Sequence, residues 1–278
     1  MIDINTPGGT MPLPWRLCPR AQLAGLIGIF TDVDDTLTRD GAIEPVALRA
    51  LHALRDAGLP VVAVTGRPMG WSRPFARDWP LEAIVAENGA VALRRDAAAP
   101  EGLRIDYLQD EATRRENAQR LQAVAQRILH ELPQARLAQD SAGRVTDIAI
   151  DHAEHAHLAD AQIARVVALM REAGMSATVS SIHVNGWYGD HGKWSGACWA
   201  LQLLHGRDLQ AEVGRWLFVG DSTNDQVMFE RFALSVGVAN LRRFAPQLSV
   251  WPAYLADGER GEGFAEVAAA VLAARERR

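Results

Sequence analysis

The sequence is poor in cysteine and in long apolar runs. Two cysteines, Cys18 and Cys198, occur in 278 residues, and neither belongs to a Cys-x-x-Cys pair. Two are too few for a disulfide framework, so we expect free thiols in a reducing compartment. No segment reaches the roughly 18 uninterrupted apolar residues of a membrane span, and residues 1–19 do not resemble a signal peptide. We therefore expect a cytoplasmic protein that does not enter a membrane.

A large excess of one charge is also missing. The formal net charge is -5, so we expect no basic surface for nucleic acid or for an anionic membrane. Hydrophobic residues make up 48% of the chain, which is enough for one large core or two smaller ones. We expect a monomer or a homodimer, and residues 1–25 have no expected role beyond a surface arm.

Short apolar runs alternate with helical patterns towards both ends of the chain. The runs are rich in β-branched residues and do not alternate with polar ones, as in strands buried on both faces of a parallel sheet. They lie at 26–30, 61–64, 83–86, 216–219 and 234–239. Helices are predicted over 45–57, 195–204 and 225–232. This alternation predicts an α/β fold with a doubly wound parallel sheet, whose ligands bind outside the carboxyl ends of the strands.

The middle of the chain has a different pattern. Strands are predicted at 103–108, 145–150, 176–181 and 182–187, and helices at 111–132 and 160–173. Two strand–helix units inserted into a sheet protein predict a second, α+β domain. We place this insert at residues 91–186, between core segments 1–90 and 187–278.

Three carboxylates follow the first apolar run within four residues: Asp32, Asp34 and Asp35. A divalent cation bound among them relieves their mutual repulsion. An EF-hand is excluded, because Leu37 and Ile43 stand where its loop requires Gly and Glu. Taken alone, the segment is also compatible with a solvated acidic turn.

Three further segments carry polar groups suited to phosphate or metal. Thr65-Gly66-Arg67 can present a hydroxyl and backbone N–H groups to a phosphate oxygen, although Thr-Gly after a strand is usually a simple turn. Lys193 is not part of a P-loop, and a lone lysine is normally a solvated charge. Residues 220–225, Gly-Asp-Ser-Thr-Asn-Asp, place two carboxylates after another buried strand, which is a natural cation site.

Together and in this order, the four segments resemble the haloacid dehalogenase superfamily of phosphohydrolases. Residues 32–36 fit its DxDxT signature, Thr65 its second motif, Lys193 its third, and Gly220-Asp221 with Asp225 its fourth. The insert lies where the Cof-type, sucrose-phosphatase and trehalose-phosphatase branch has its larger α+β cap. Residues 87–90 resemble the asparagine–glycine turn before that cap. The resemblance implies a Rossmann-like core with an inserted cap domain.

The resemblance also implies a Mg²⁺-dependent phosphatase. Asp32 would be the nucleophile that forms an aspartyl-phosphate, and Asp34 would be first general acid and then general base. Thr65, Gly66 and Lys193 would bind the transferring phosphoryl oxygens.

The same resemblance implies the metal ligands. They would be Asp32, the backbone carbonyl of Asp34 and Asp221, while Asp225 would hold a metal-bound water. Asn224 would help to orient the site and its substrate. The water-rich shell that results suits Mg²⁺.

The substrate is expected to be a small phosphorylated molecule, most simply a sugar phosphate, with specificity supplied by the cap. His183 and Asn185 are two residues apart, so they share one face of a strand and either contact sugar hydroxyls or are ordinary strand polarity. Arg67 either steers substrate or forms a surface salt bridge, and Asn88 is a candidate substrate contact. A phosphosugar mutase and a non-catalytic phosphosugar sensor are alternatives.

Overall fold

The computed structural model describes residues 11–275. Its strands, in chain order, are β1 (Leu13–Pro14), β2 (Gly28–Thr31), β3 (Thr38–Arg39), β4 (Ala42–Ile43), β5 (Val61–Val64), β6 (Ala83–Ala86), β7 (Val91–Arg95), β8 (Leu103–Tyr107), β9 (Arg136–Leu137), β10 (Asp147–Asp151), β11 (Ser176–Val179), β12 (His183–Trp187), β13 (Trp216–Gly220), β14 (Ser235–Gly237) and β15 (Tyr254–Leu255). Its helices are α1 (Arg20–Ala24), α2 (Pro45–Asp56), α3 (Met69–Asp78), α4 (Glu111–Glu131), α5 (Asp160–Glu172), α6 (Lys193–His205), α7 (Leu209–Glu212), α8 (Gln226–Arg231) and α9 (Arg260–Arg275).

The described residues form two compact units, one from residues 11–61 and 209–275 and the other from residues 62–208. In the first unit, five strands pair in the order β1-β15-β14-β13-β2, and every pair is parallel. Both β2 and β13 are fully buried, as expected for central strands of a parallel sheet. Helix α9 packs against α1 and α2 in this unit.

The N-terminal segment is part of the first unit. Strand β1 pairs with β15, the ring of Trp15 is buried, and that ring meets Tyr254 edge-on at 5.7 Å between centroids. The prediction of a surface arm is therefore wrong for residues 13–25, because this segment extends the sheet and covers its edge. Residues 1–10, the rest of that prediction, lie outside the described residues.

The second unit contains two groups of strands. Strands β5 and β6 are parallel, while β7 and β8 continue from β6 as antiparallel neighbours. The other group is a four-stranded antiparallel sheet in the order β11-β12-β10-β9, on which α4 and α5 pack over a shared apolar core. An antiparallel sheet covered by two helices is thus present, while the inserted α+β domain and its limits of 91–186 stay a prediction. Strands β7 and β8 fall inside those limits but pair with β6.

The α/β class is confirmed, because the strands outside the antiparallel sheet are mostly parallel and are flanked by helices. The predicted runs at 61–64 and 83–86 coincide with β5 and β6. Helices α3 and α9 and strand β7 were not predicted from the sequence. Both cysteines are free thiols. None of the helices between residues 11 and 275 combines the length and apolar character needed to cross a membrane.

Candidate active site

Asp32 is the first residue after β2. Its backbone N–H donates to the carbonyl oxygen of Val219 at 2.8 Å, which continues the pairing of β2 with β13 by one residue. The hydroxyl of Thr31 donates to the carbonyl oxygen of Asp32 at 2.9 Å. Asp35 then takes the left-handed conformation, with φ of 54°, and turns the chain away from the strand. The side chain of Asp32 is held buried at the carboxyl end of the strand.

Asp221 and Asp225 follow the neighbouring strand β13. The Oδ2 atom of Asp225 accepts from the backbone N–H groups of Asp221, at 2.9 Å, and Ser222, at 3.2 Å. A Cβ at Gly220 would lie 2.5 Å from that same oxygen, so the close approach requires glycine at this position. The 220–225 segment is therefore a compact turn that fixes two buried carboxylates at the strand end.

Asp32, Asp221 and Asp225 form one cluster. Each offers a carboxylate oxygen, these oxygens lie within 4.8 Å of one another, and all three side chains are buried. Burying three carboxylates together is costly unless a cation neutralises them. Oxygen ligands at this spacing fit Mg²⁺, which is bound through a few carboxylates and keeps several waters. The cluster lies within the first unit and suits the metal implied by the sequence.

The other predicted residues of these loops lie beside the cluster. Asp34 is half-buried in the turn after Asp32. Asn224 is buried in the 220–225 turn, where the hydroxyl of Ser222 donates to its Oδ1 at 3.0 Å. The proposed parts of Asp34 as acid–base and of Asn224 as an orienting group stay predictions.

Thr65 ends β5 in the second unit and is fully buried. Its Oγ accepts a hydrogen bond from the backbone N–H of Arg67 at 3.1 Å. Its carbonyl oxygen accepts from the backbone N–H of Asn88 at 2.9 Å, which ties the ends of β5 and β6 together. The 65–67 turn is therefore stabilised by one hydrogen bond inside it and by another from the 87–89 turn.

Arg67 is almost completely buried and lies in an ion-pair cluster. Its guanidinium nitrogens lie 3.1 Å from Oδ2 of Asp140 and 2.8 Å from Oε1 of Glu154, and its carbon lies 5.0 Å from the centre of the Trp71 ring. Glu154 also contacts Nε2 of His183 at 2.9 Å. Burial raises the pKa of Glu154, but hydrogen bonds from His183 and Arg67 outweigh it and lower the pKa to about 2. Arg67 thus forms its ion pairs from a buried position with partly buried partners rather than on the surface, and its contact with substrate stays a prediction.

Asp147 organises the polar groups beside Gly66. Its fully buried carboxylate lies 2.9 Å from Nη1 of Arg144 and accepts from Nδ2 of Asn185, at 3.0 Å, and of Asn88, at 3.3 Å. Arg144 and Asn185 both donate to the carbonyl oxygen of Gly66, at 2.9 Å and 3.3 Å. Asn88 and Asn185 were expected to contact substrate. In the structure both side-chain amides donate hydrogen bonds to the carboxylate of Asp147. Their contact with substrate stays a prediction.

Glu87 is a fully buried carboxylate at the end of β6. It accepts hydrogen bonds from the backbone N–H groups of Met69, Val145 and Thr146 and from the hydroxyl of Thr146. Burial and the nearby charge of Asp147 raise its pKa to about 7. Glu87 therefore joins the start of α3 to the segment before β10.

Lys193 is the only lysine of the chain, and it is buried at the first position of α6. The helix start packs on the 87–89 turn through glycines. A Cβ on Gly89 would lie 2.5 Å from the carbonyl oxygen of Gly192, and one on Gly196 would lie 2.3 Å from Cα of Gly89. A lysine that is buried, in a chain with no other lysine, is not an ordinary surface charge. Its contact with phosphate stays a prediction.

The structure thus gathers most of the predicted residues within two clusters, and Lys193 is assigned to neither. The first unit holds Asp32, Asp221 and Asp225 together, and the second holds Thr65, Gly66, Arg67, Asn88, His183 and Asn185 together. Several buried or partly buried polar residues that brace these clusters were not predicted from the sequence: Glu87, Asp140, Arg144, Asp147, Glu154, Asn240 and Arg260. The signal available for Glu87 was its place directly after an apolar run.

Comparisons with known proteins agree with this picture. Residues 29–115 match a family model described as haloacid dehalogenase-like hydrolase. The search of curated protein sequences found no match. A solved structure from Thermoplasma acidophilum is similar over 88% of this chain and 98% of that one, with 18% identity and a TM-score of 0.65.

Two further solved structures carry functional names. Sucrose-phosphatase from Synechocystis, in complex with sucrose and phosphate, is similar over 88% of this chain and 97% of its own, with 18% identity and a TM-score of 0.62. A trehalose-6-phosphate phosphatase related protein is similar over 88% and 96%, with 15% identity and a TM-score of 0.57. At such identities the likeness shows a shared fold.

The family model covers β2, the aspartate loop and Thr65, which carry the first two motifs. The shared fold confirms the Rossmann-like α/β class across most of the chain. Residues 29–115 thus resemble haloacid dehalogenase-like hydrolases, and the chain shares the fold of the solved structures over most of its length.

Proposed function

We propose that this protein is a Mg²⁺-dependent phosphatase that hydrolyses small phosphomonoesters through an aspartyl-phosphate. The observation that carries the proposal is the buried cluster of Asp32, Asp221 and Asp225 at the ends of adjacent parallel strands. The match of residues 29–115 to a hydrolase family model and the two phosphatase-named structures of the same fold support it.

Each residue then has a definite task. The carboxylate of Asp32 attacks phosphorus, which divides one difficult displacement into two easier ones. Asp34 gives a proton to the leaving alcohol and then takes one from the attacking water. Thr65, the backbone N–H of Gly66 and the ammonium of Lys193 bind the phosphoryl oxygens and stabilise charge in the transition state.

The cation is assigned to the carboxylate cluster. Asp32, the carbonyl of Asp34 and Asp221 would hold Mg²⁺, and Asp225 would contact it directly or through water. When bound, Mg²⁺ supplies positive charge beside the phosphoryl oxygens. Without a cation, the carboxylate of Asp32 and a phosphate dianion repel each other, so turnover requires the metal.

The substrate we favour is a phosphorylated sugar. The cluster of His183, Glu154, Arg67 and Asn185 offers both donors and acceptors, which suits hydroxyl groups. A hydrophobic substrate would offer these groups no hydrogen bond beyond those that they already make to neighbouring residues. The sucrose and phosphate bound to the Synechocystis protein support this class of substrate.

The first experiment is a phosphate-release screen over sugar phosphates and other phosphometabolites, with Mg²⁺ or with EDTA. We expect release that depends on Mg²⁺ and is greatest for sugar phosphates. Interconversion of sugar phosphate isomers without free phosphate would favour the mutase instead. Binding without turnover, even of an aryl phosphate, would favour a sensor.

Two substitutions test the mechanism. Asp32→Asn should lower kcat by at least about a thousandfold with the fold intact, whereas Asp40→Asn is the matched control, since Asp40 is exposed nearby in the chain. Lys193→Met should lower kcat/KM by about a hundredfold or more. Near-normal turnover by Asp32→Asn would remove it as the nucleophile, and an unchanged kcat/KM would remove Lys193 from the site.

A further inference from the structure

Arg144 and Asp147 form a buried ion pair that serves no evident purpose as a stabiliser. The side chain of Arg144 is 2% exposed and that of Asp147 is 0% exposed, and their charged atoms lie 2.9 Å apart. Desolvation offsets most of the attraction in such a pair, so apolar residues of similar volume would stabilise a core as well or better. What the pair adds is a fixed geometry for the groups around it.

The geometry that it fixes is that of one peptide group. Nη1 of Arg144 donates to the carbonyl oxygen of Gly66 at 2.9 Å, and Asn185, which Asp147 also holds, donates to the same oxygen at 3.3 Å. That carbonyl and the N–H of Arg67 are the two ends of the planar Gly66–Arg67 peptide. Fixing the carbonyl therefore fixes the direction of the N–H.

The N–H of Arg67 in turn acts on Thr65. It donates to Oγ of Thr65 at 3.1 Å, so this oxygen serves as an acceptor towards the turn. A hydroxyl that accepts in one direction has its hydrogen directed elsewhere and can donate it to another group. A chain of contacts thus runs from Asp147 through Arg144 and the 66–67 peptide to the hydroxyl of Thr65.

We propose that Arg144, held by Asp147, is a positioning residue that sets the Gly66–Arg67 peptide and through it makes the Thr65 hydroxyl a donor to bound phosphate. This inference rests on the proposed function for the part of Thr65 in binding phosphate. All residues of the relay lie within the second unit. Arg144 itself touches the peptide and need not touch substrate.

A double-mutant cycle tests the relay, with the dissociation constant of inorganic phosphate, measured by calorimetry in Mg²⁺, as the readout. The four proteins are the wild type, Arg144→Met, Thr65→Val and the double variant. We expect each single variant to bind phosphate about tenfold more weakly, as for one hydrogen bond to a charged ligand. The double variant should resemble Thr65→Val within about twofold, because Arg144 acts through that hydroxyl.

The relay would be overturned if the fold-losses in phosphate affinity of the two single variants multiplied in the double variant. It would also be overturned if Arg144→Met had the dissociation constant of the wild type. Arg165→Met is the matched control: it removes one arginine charge from ion pairs with Glu131 and Glu172, which are partly exposed, and should leave phosphate binding unchanged. Circular dichroism checks each fold. If loss of Arg144 leaves Asp147 unpaired and prevents folding, Arg144→Lys replaces it in the cycle, with a smaller expected loss and the same non-additivity.

Failure of this inference is distinguishable from failure of the proposed function. If the wild type hydrolyses phosphomonoesters but the affinity losses of the two single variants multiply in the double variant, the relay is wrong and the phosphatase proposal stands. If the protein binds phosphate and the cycle is non-additive, but no phosphomonoester is hydrolysed, the relay stands and the phosphatase proposal is wrong. A wild type that neither binds phosphate nor hydrolyses esters contradicts both.

Discussion

Asn240 holds Asp221 in place: its Nδ2 donates to Oδ2 of that carboxylate at 3.0 Å. The same nitrogen donates to the carbonyl oxygen of Asp35 at 3.0 Å, so one buried amide joins the two loops of the carboxylate cluster. Its Oδ1 accepts from the backbone N–H of Arg260 at 2.9 Å. The orientation of the amide is fixed, because flipping it would set donors against donors and acceptors against acceptors.

Asn240→Leu is therefore expected to weaken Mg²⁺ binding by about tenfold or more, since a hydrogen bond to a charged group contributes about 1.5–3 kcal/mol. Calorimetric titration with Mg²⁺ measures this directly, with no need for turnover. Asn117→Leu is the control, because Asn117 is a buried amide in α4 of the other unit. It should lower the melting temperature and leave the metal affinity alone. An unaltered affinity in Asn240→Leu would show that the amide does not position Asp221.

The parts of the fold and site that were predictable from the sequence are those with a local signal. Strands β5 and β13 are short buried runs, and Asp32 and Asp221 follow such runs directly, so position in the chain fixes position at the sheet edge. The partners of these residues are set by packing between distant segments. Asn240 lies 19 residues from Asp221 and 205 from Asp35, and no local pattern marks it.

The missed helices have breakers in their sequences. Helix α3 contains Pro74, which cannot donate a backbone hydrogen bond, and α9 begins with Gly261 and Gly263 in its first turn. Tertiary contacts override these propensities: a Cβ at Gly261 would lie 2.8 Å from a carboxylate oxygen of Glu44. Small residues that look like helix breakers are used here for close packing.

Lys193 can be followed by chemical labelling, because it is the only lysine of the sequence. An amine-specific reagent therefore labels its ε-amine and the N-terminal α-amine. Its burial predicts slow reaction with an amine-specific reagent in the folded protein and fast reaction in urea. Phosphate with Mg²⁺ should slow the folded-state reaction further by covering the ammonium. Peptide mass spectrometry separates Lys193 from the N-terminus. Labelling that phosphate does not change would count against its proposed contact with the phosphoryl group.

Gly196→Ala should disturb the packing of the start of α6, where Lys193 lies, against the 87–89 turn. The added methyl group would lie 2.3 Å from Cα and 2.9 Å from the carbonyl oxygen of Gly89, which are backbone atoms that cannot move aside cheaply. We expect a loss of about 1–3 kcal/mol in the free energy of unfolding. Gly25→Ala is the control, since nothing lies within 4 Å of its added Cβ and its φ is -88°. Urea unfolding measures both, and equal stabilities would mean that α6 can shift freely on the turn.

Glu87 should make the stability of the protein depend on pH. Burial and Asp147 raise its pKa from 4.5 to about 7, so between these values the folded state binds a proton that the unfolded state has released. The free energy of unfolding should therefore fall as pH rises from about 4.5 through 7, by at most about 3.5 kcal/mol at about 1.4 kcal/mol per pKa unit.

The variant that isolates this dependence is Glu87→Gln. Its amide cannot accept all the donors that surround the carboxylate, so it should be less stable throughout, but the fall in stability between pH 5 and 8 should be largely abolished. The quantity compared is the slope of the free energy of unfolding against pH, measured by urea unfolding at four pH values in that range. A lower stability of the variant at every pH does not change this slope. Glu101→Gln, at an exposed carboxylate, should keep the wild-type slope. Parallel curves for wild type and Glu87→Gln would mean that Glu87 is ionised in the folded protein across this range, held so by the N–H groups of Met69, Val145 and Thr146.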